Sequence, residues 1–334
     1  MLKGIFLGVL LSNSLLIAQS WTGSGYVAPA PVSVAPGQIA TFFAAGFGSA
    51  LPGVVSAPPG ALPITLSGIN VTLQQGGVNI PVPIQSERPI SMCPDASASS
   101  QASCSTITAV TVQIPYELVT PCPLCERPIS ASPATLVIGQ SLQTGTAIEL
   151  NPVGDEVHVL TACDIALAQS SAPPPVNLTG LPCAPMVTHA DGSLVSAANP
   201  ASVGEEVVAW VFGLGQTNPA AATGQPAKAA PTAETFNLDF NYQVNALPAK
   251  PFTGEPDVKP PQPLFAGLAP GFVGLYQVNF IVPQQPPNGT PRCTAPGTAA
   301  AGANIAQSNF TVSIGGQFSF DGAGICVSTQ IPVD

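Results

Sequence analysis

Beyond its first twenty residues this chain never sustains an apolar run for long before a proline or a glycine stops it. With 39 Pro and 32 Gly among 334 residues, no segment keeps a helical period. Short alternating runs bounded by turn residues recur instead. Proline removes a backbone donor and clashes with the preceding turn of a helix, so this punctuation leaves strands as the element of choice. The 14 Phe, with abundant Val, Ile and Leu, separate the chain from Pro-rich disordered sequence, which lacks core formers. The expected fold class is all-β.

Strand-like runs cover Gly37–Gly48, Ile107–Pro115, Ala134–Gly139 and Glu156–Ala162, with a hairpin over Ile69–Ile84 turning at Gly76-Gly77. After the Pro-rich stretch Ser170–Pro185 come Gly204–Gly215, Phe236–Val244, Phe265–Pro283, Asn309–Phe320 and Gly324–Ile331. The two halves repeat. Gly37, Gly46 and Gly48 match Gly204, Gly213 and Gly215 without a gap, and Phe42-Phe43 falls against Ala209-Trp210. "VTVQIP" ending at Pro115 matches "VNFIVP" ending at Pro283, and Thr135–Gly139 matches Thr311–Gly315. The expected organisation is a leader at 1–20, an N-terminal linker at 21–31, and a first sandwich at 32–170. A linker at 171–185 and a second sandwich at 186–334 complete it. Each half has enough residues to bury a core of its own.

In the second half, Ala269-Pro270-Gly271 fits a type II turn, with Gly271 accepting positive φ. The strand that follows has a period of two, which places Tyr276, Val278, Phe280 and Val282 on one face. Gln277 and Asn279 fall on the other. An amide offers both a donor and an acceptor, so these two side chains are expected to clamp the backbone of a neighbouring loop, with Gln113 doing the same in the first half.

The segments Leu268–Pro283, Ala35–Phe43 and Pro200–Pro219 resemble an uncharacterised C-terminal domain of large secreted acidobacterial proteins (Solibacter-type), and the G-x-Y-Q-x-N-x-x-x-P element at Gly274–Pro283 is its most specific part. The resemblance runs from Val32 to Ile331 and implies tandem immunoglobulin-like modules akin to IPT/TIG repeats, with no assigned activity. Two features depart from it: the domain makes up the whole expected mature chain, and the Cys-bearing inserts Met92–Ser105 and Pro121–Pro128 are peculiar to this sequence.

Charge excludes several roles. The net charge is −10, and the seven Lys and Arg are unclustered, so no basic stripe exists to displace counterions from nucleic acid. The first twenty residues read as a signal peptide: Lys3, then the apolar stretch Ile5–Ile17, then the small-x-small pattern Ala18-Gln19-Ser20. No later run approaches the ~18 apolar residues of a membrane helix. The expectation is a secreted or cell-surface monomer.

All eight cysteines lie beyond the leader, and an even number in an exported chain points to disulfides, although eight allow 105 pairings. Nearest-neighbour pairing gives Cys93–Cys104, Cys122–Cys125, Cys163–Cys183 and Cys293–Cys326, the last tying the end of one strand to the final strand. Chemistry is otherwise sparse. His158 and His189 are the only histidines. "CPLC" at Cys122–Cys125 is half of a zinc site, and as a thiol-exchange motif it lacks the helix that would stabilise its thiolate. The turns Ala190–Ser193 and Asp321–Gly324 suit calcium oxygens no better than they suit Asp-Gly turns. No G-x-S-x-G elbow is present. The expected function is therefore a non-catalytic structural or adhesive module, without a cofactor, that meets an extracellular protein or polysaccharide. A carbohydrate-binding module is the alternative, needing exposed aromatics among Tyr26, Tyr116 and Tyr242, since Trp210 aligns with core positions and Trp21 sits in a tail. A thiol-disulfide oxidoreductase using Cys122 and Cys125 is the third reading.

Overall fold

The structure is a computed structural model that describes residues 20–21, 31–45, 47, 51–92, 105–121, 131–140, 143–161, 164, 185–232, 236–241, 263–282, 293, 305–314, 317–318 and 323–328. These residues build two β-sandwiches. In the first half the strands are β1 (Ser20–Trp21), β2 (Val32–Val34), β3 (Ile39–Ala45), β4 (Val55–Ser56), β5 (Thr65–Leu66) and β6 (Ile69–Gln75). They continue as β7 (Val78–Pro81), β8 (Ile84–Met92), β9 (Ser105–Gln113), β10 (Ala134–Gln140) and β11 (Gln143–Pro152). In the second half they are β12 (His158–Val159), β13 (Val187–His189), β14 (Ala201–Ser202), β15 (Glu206–Phe212), β16 (Ala230–Pro231) and β17 (Phe236–Asn241). The last five are β18 (Pro263–Leu268), β19 (Tyr276–Ile281), β20 (Ile305–Ile314), β21 (Gln317–Phe318) and β22 (Ala323–Ser328).

One sheet of the first unit runs β1-β3-β9-β8-β4 and the other β2-β11-β10-β6-β5, with β7 also on β6. The second unit repeats this plan as β12-β15-β19-β18-β16, with β13 on β15, and β14-β22-β20-β17, with β21 on β20. In each unit a short early strand lies parallel to the last one, β2 on β11 and β14 on β22, and the other ladders are antiparallel. A first strand divided between two sheets of this order defines an immunoglobulin-like sandwich. The repeat extends to register: Phe43 faces Ala109 and Thr41 faces Thr111 in the first unit, as Trp210 faces Gln277 and Val208 faces Asn279 in the second.

Alternation produces the cores. Phe42, Leu73, Ile84, Val110, Leu136 and Ile138 fill the first; Val207, Ala209, Val211, Tyr276, Val278 and Phe280 fill the second. Burying each larger side chain contributes about 1.5–3 kcal/mol. The expected turns are present: Gly76 and Gly77 both take positive φ at the β6–β7 tip, and Gly271 does so at 83°. Cys293 and Cys326 are disulfide-bonded, with Cα atoms 5.5 Å apart. Cys93, Cys104, Cys122, Cys125, Cys163 and Cys183 lie outside the described residues.

Two segments fall elsewhere than expected. Trp21, read as part of a tail, pairs with Thr41, and Ser20 pairs with Phe42, so β1 is an edge strand of the first unit. His158–Val159, read as part of the first sandwich, pairs with β15 of the second, because Val157 and Val159 bury in the second core. The expected linker at 171–185 lies outside the described residues except for Pro185, which bridges Thr161.

The units are joined by a dense contact. Tyr116, just beyond β9, leaves the first unit and packs into the second core. Its hydroxyl lies 3.1 Å from that of Tyr276, which donates to the Gly215 carbonyl at 2.6 Å. Gln216 donates to the Tyr116 carbonyl, and the Tyr116 N–H donates to Thr223. Gly37 has φ +76°, and a Cβ there would overlap the Tyr116 ring, so only glycine lets the ring pass. Both phenols are desolvated: burial pushes Tyr116 up to about 12, slightly offset by its bond to Tyr276, and Tyr276 is raised well above 10 by burial and by Tyr116.

Candidate functional site

The outer face of β15 and β19 carries a row of polar and aromatic side chains. On β15 the odd positions Val207, Ala209 and Val211 point into the core, so Glu206, Val208, Trp210 and Phe212 point out. On β19 the same rule turns Gln277, Asn279 and Ile281 outward. Direct cross-strand pairing then sets Trp210 beside Gln277, Val208 beside Asn279 and Glu206 beside Ile281. Trp210 is therefore a partly exposed surface residue and not a core one, contrary to the sequence reading. Its indole N–H donates to Thr188 Oγ1 of β13 at 3.3 Å, which holds the ring against the sheet.

The amides behave differently from expectation. Gln277 Nε2 donates to Asn279 Oδ1 at 3.2 Å, and Asn279 Nδ2 donates to Glu206 Oε1 at 3.1 Å. They form a side-chain ladder along the outer face and do not clamp a loop. Side chains two residues apart on a strand share a face, so each amide finds the other first. Gln113 does act as a clamp, but on the other unit: its Oε1 accepts the Gly224 N–H at 2.6 Å, and Gly224 O in turn accepts from Leu62 N. Gln75 holds a loop within its own unit by bonding Val119 N, Val119 O and Ser132 O.

Both histidines are placed in structural knots. His158 Nε2 lies 3.0 Å from Asp164 Oδ2, which also accepts from the Thr161 N–H and hydroxyl. Burial pushes the Asp164 carboxyl up, but His158 and Thr161 outweigh it and hold it below its ordinary value. His189 Nδ1 pairs with Glu205, and its Nε2 meets the Asn199 carbonyl. Burial pulls this imidazolium down, yet Glu205, Asn199 and the Asp191 charge prevail and raise it. Asp191 turns its carboxylate back on Ser193, accepting from both N and Oγ, as an Asp-Gly turn requires. Among the described residues, no three His, Cys, Asp or Glu are grouped to hold a metal ion. The Asp321-Gly322 half of the second such turn, and Cys122 and Cys125, lie outside them.

Of the tyrosines expected to form an aromatic platform, Tyr116 is buried in the joint, and Tyr26 and Tyr242 lie outside the described residues. No helix among the described residues is long and apolar enough to cross a membrane.

No family model matches this chain, and no curated protein does. Among solved structures, the N-terminal periplasmic domain of ScsB from Proteus mirabilis is 9% identical over 87% of this chain and 94% of that one, with a TM-score of 0.15. The sialic acid binding region of a Streptococcus sanguinis adhesin, bound to 3'sLn, is 10% identical over 94% of this chain and 77% of that one, with a TM-score of 0.14. Likenesses at this level carry no argument about function.

Proposed function

We propose that this protein is an exported, non-catalytic module that presents a rigid two-unit surface to an extracellular protein or polysaccharide. The observation that carries the reading is the joint. Tyr116, Gln113, Gln216 and Thr223 commit their polar groups to contacts between the units, so the two sandwiches form one stiff body. A stiff all-β body suits display and spacing. The apolar leader, the even cysteine count, the Cys293–Cys326 bridge and the resemblance to secreted acidobacterial domains support export.

The test is to express the chain with its leader in a bacterial host, locate it by protease accessibility on intact cells, and count thiols in denaturant. The purified protein is then screened against immobilised extracellular proteins and cell-wall polysaccharides. Export, no free thiol and saturable capture by one partner are expected. Retention in the cytoplasm with eight free thiols would overturn the reading, as would turnover of any substrate in the screen.

A further inference from the structure

We infer that the outer face of β15 and β19 is a binding site for a neutral, hydroxyl-rich carbohydrate, with Trp210 as its stacking platform and Gln277, Asn279 and Glu206 as its hydroxyl partners. This rests on the module reading above and names the class of ligand.

The duplicated register supplies an internal comparison. At the same cross-strand positions the first unit has Phe43 opposite Ala109, Thr41 opposite Thr111 and Ile39 opposite Gln113. Thr41 and Thr111 bond each other at 2.8 Å, and Gln113 is turned to the joint. The second unit has Trp210 opposite Gln277, Val208 opposite Asn279 and Glu206 opposite Ile281. The fold is satisfied by either set. What the second unit adds is an indole, two amides and a carboxylate in one outward row.

That row has the chemistry of a sugar site. An indole gives a broad apolar face with a polar edge; here the edge N–H is bonded to Thr188, and the half-buried ring offers its exposed part as the apolar surface. A pyranose presents C–H groups on one face and hydroxyls around its rim, each of which both donates and accepts. Of the polar groups in the ladder, only Gln277 Nε2, Asn279 Oδ1, Asn279 Nδ2 and Glu206 Oε1 take part in its two internal bonds. Gln277 Oε1, one N–H of each amide and Glu206 Oε2 take no bond among the described residues, which leaves donors and acceptors side by side. Residues 206 to 210 of an extended strand span about 14 Å, room for a short oligosaccharide. The floor is stiff, since Val207, Ala209, Val211, Val278 and Phe280 are fully buried beneath it.

Charge selects among sugars. Glu206 lies in the row and the chain carries a net −10, so uronic or sialic acids would meet a like charge. A neutral glycan avoids that cost and can donate to the carboxylate.

The experiment uses the full mature chain with Trp21→Phe, which leaves Trp210 as the sole indole. Neutral oligosaccharides of the glucan, mannan and chitin types are titrated and Trp210 fluorescence is followed, beside a glycan array that includes acidic sugars. Saturable spectral change with a neutral glycan is expected. Gln277→Ala, which installs the residue the first unit has, and Trp210→Phe read by calorimetry, should each weaken binding about tenfold, the size expected for anchor residues. Circular dichroism checks that both variants fold. No neutral glycan bound, binding restricted to acidic glycans, or neutral binding unchanged in both variants would each overturn the assignment. Capture of an extracellular protein that ignores both variants would overturn this site while leaving the module reading standing.

Discussion

Glu87 offers the sharpest quantitative test of the fold. It lies on β8 opposite Val110, and paired residues share a face, so its side chain enters the first core beside Val110 and Val112. It is 0% exposed, and neither carboxylate oxygen has a hydrogen-bond partner. Thr108 Oγ1, two residues along β9 from Val110, also lacks one. An ionised carboxylate in such surroundings is costly, so the group keeps its proton. Burial pushes its pKa from 4.5 up to about 7; the neighbouring Ser67 side chain from the β5–β6 turn opposes this without closing a hydrogen bond to either oxygen.

The sign follows from where the proton sits. Below pH 4.5 both folded and unfolded chains hold it, and this site takes nothing from stability. Between 4.5 and about 7 the unfolded chain loses the proton while the folded one retains it, so stability declines; above about 7 the decline is complete. At 1.36 kcal/mol per tenfold change, the loss amounts to about 3 kcal/mol. That is a large share of a domain's usual ~5–15 kcal/mol. Glu87→Gln keeps the shape and removes the titration. Urea unfolding of both proteins at pH 4.5, 6, 7 and 8.5 should show the variant gaining about 3 kcal/mol on the wild type across that range. Parallel stability curves would refute the argument. So would a variant that loses ground as pH rises, since that requires an ionised Glu87 with a good partner.

Three further outcomes are expected. Tyr276→Phe removes the hydroxyl that serves Tyr116 and Gly215 and should cost about 1–3 kcal/mol; small-angle scattering should show a wider spread of inter-unit angles, and an unchanged profile would count against the stiff joint. Replacing both Cys293 and Cys326 with serine reopens a loop of sequence separation 33 and should cost about 3–4 kcal/mol in urea unfolding. His189 contributes stability that is full below pH 6.5 and lost as pH rises through its raised folded value; imidazole NMR titration should show that value dropping in Glu205→Gln, and no change would remove Glu205 as the cause.

The strand periods were legible in the sequence because they depend on residues two apart. Tyr276, Val278 and Phe280 face inward as the alternation requires, and the positive φ of Gly76, Gly77, Gly204 and Gly271 falls where turn chemistry demands it. The same rule could have placed Trp210: Val207, Ala209 and Val211 share one parity, so the tryptophan between two of them must point out. Aligning it with apolar Phe43 hid this, because Phe43 is itself on the outer parity of β3. The Gln277–Asn279 ladder was equally local and could have been read from their spacing. The partners of Gln113 and Tyr116 could not. They lie more than a hundred residues away, and only the packing of one unit on the other brings Gly224 and Thr223 to them. Glu87 was hidden for a related reason, since "SERP" has the composition of a surface turn and its burial follows from a bulge between Ile84 and Ser86.

The duplicated register also explains why a glutamate is buried at all. Ala44 pairs with Thr108 as Val211 pairs with Tyr276, and Val110 pairs with Glu87 as Val278 pairs with Ala266. Thr108 and Glu87 thus occupy the places of Tyr276 and Ala266. In the second unit a large phenol fills the end of the core, next to an alanine, and its hydroxyl meets Tyr116 arriving from the first unit. The first unit receives no such ring among its described residues; Thr108 stands in the tyrosine's place and Glu87 in the alanine's. The cores make the same exchange one layer deeper: Phe42 opposite Val110 becomes Ala209 opposite Val278, while Ala40 opposite Val112 becomes Val207 opposite Phe280. Total volume is roughly kept while the bulky residue moves to the other strand, which packing tolerates at modest cost. Placing a carboxyl at that position is not modest, because neither of its oxygens closes a hydrogen bond. The loss of stability expected at Glu87 as pH rises therefore follows from keeping one sandwich plan while using its tyrosine position for a joint in only one of the two copies.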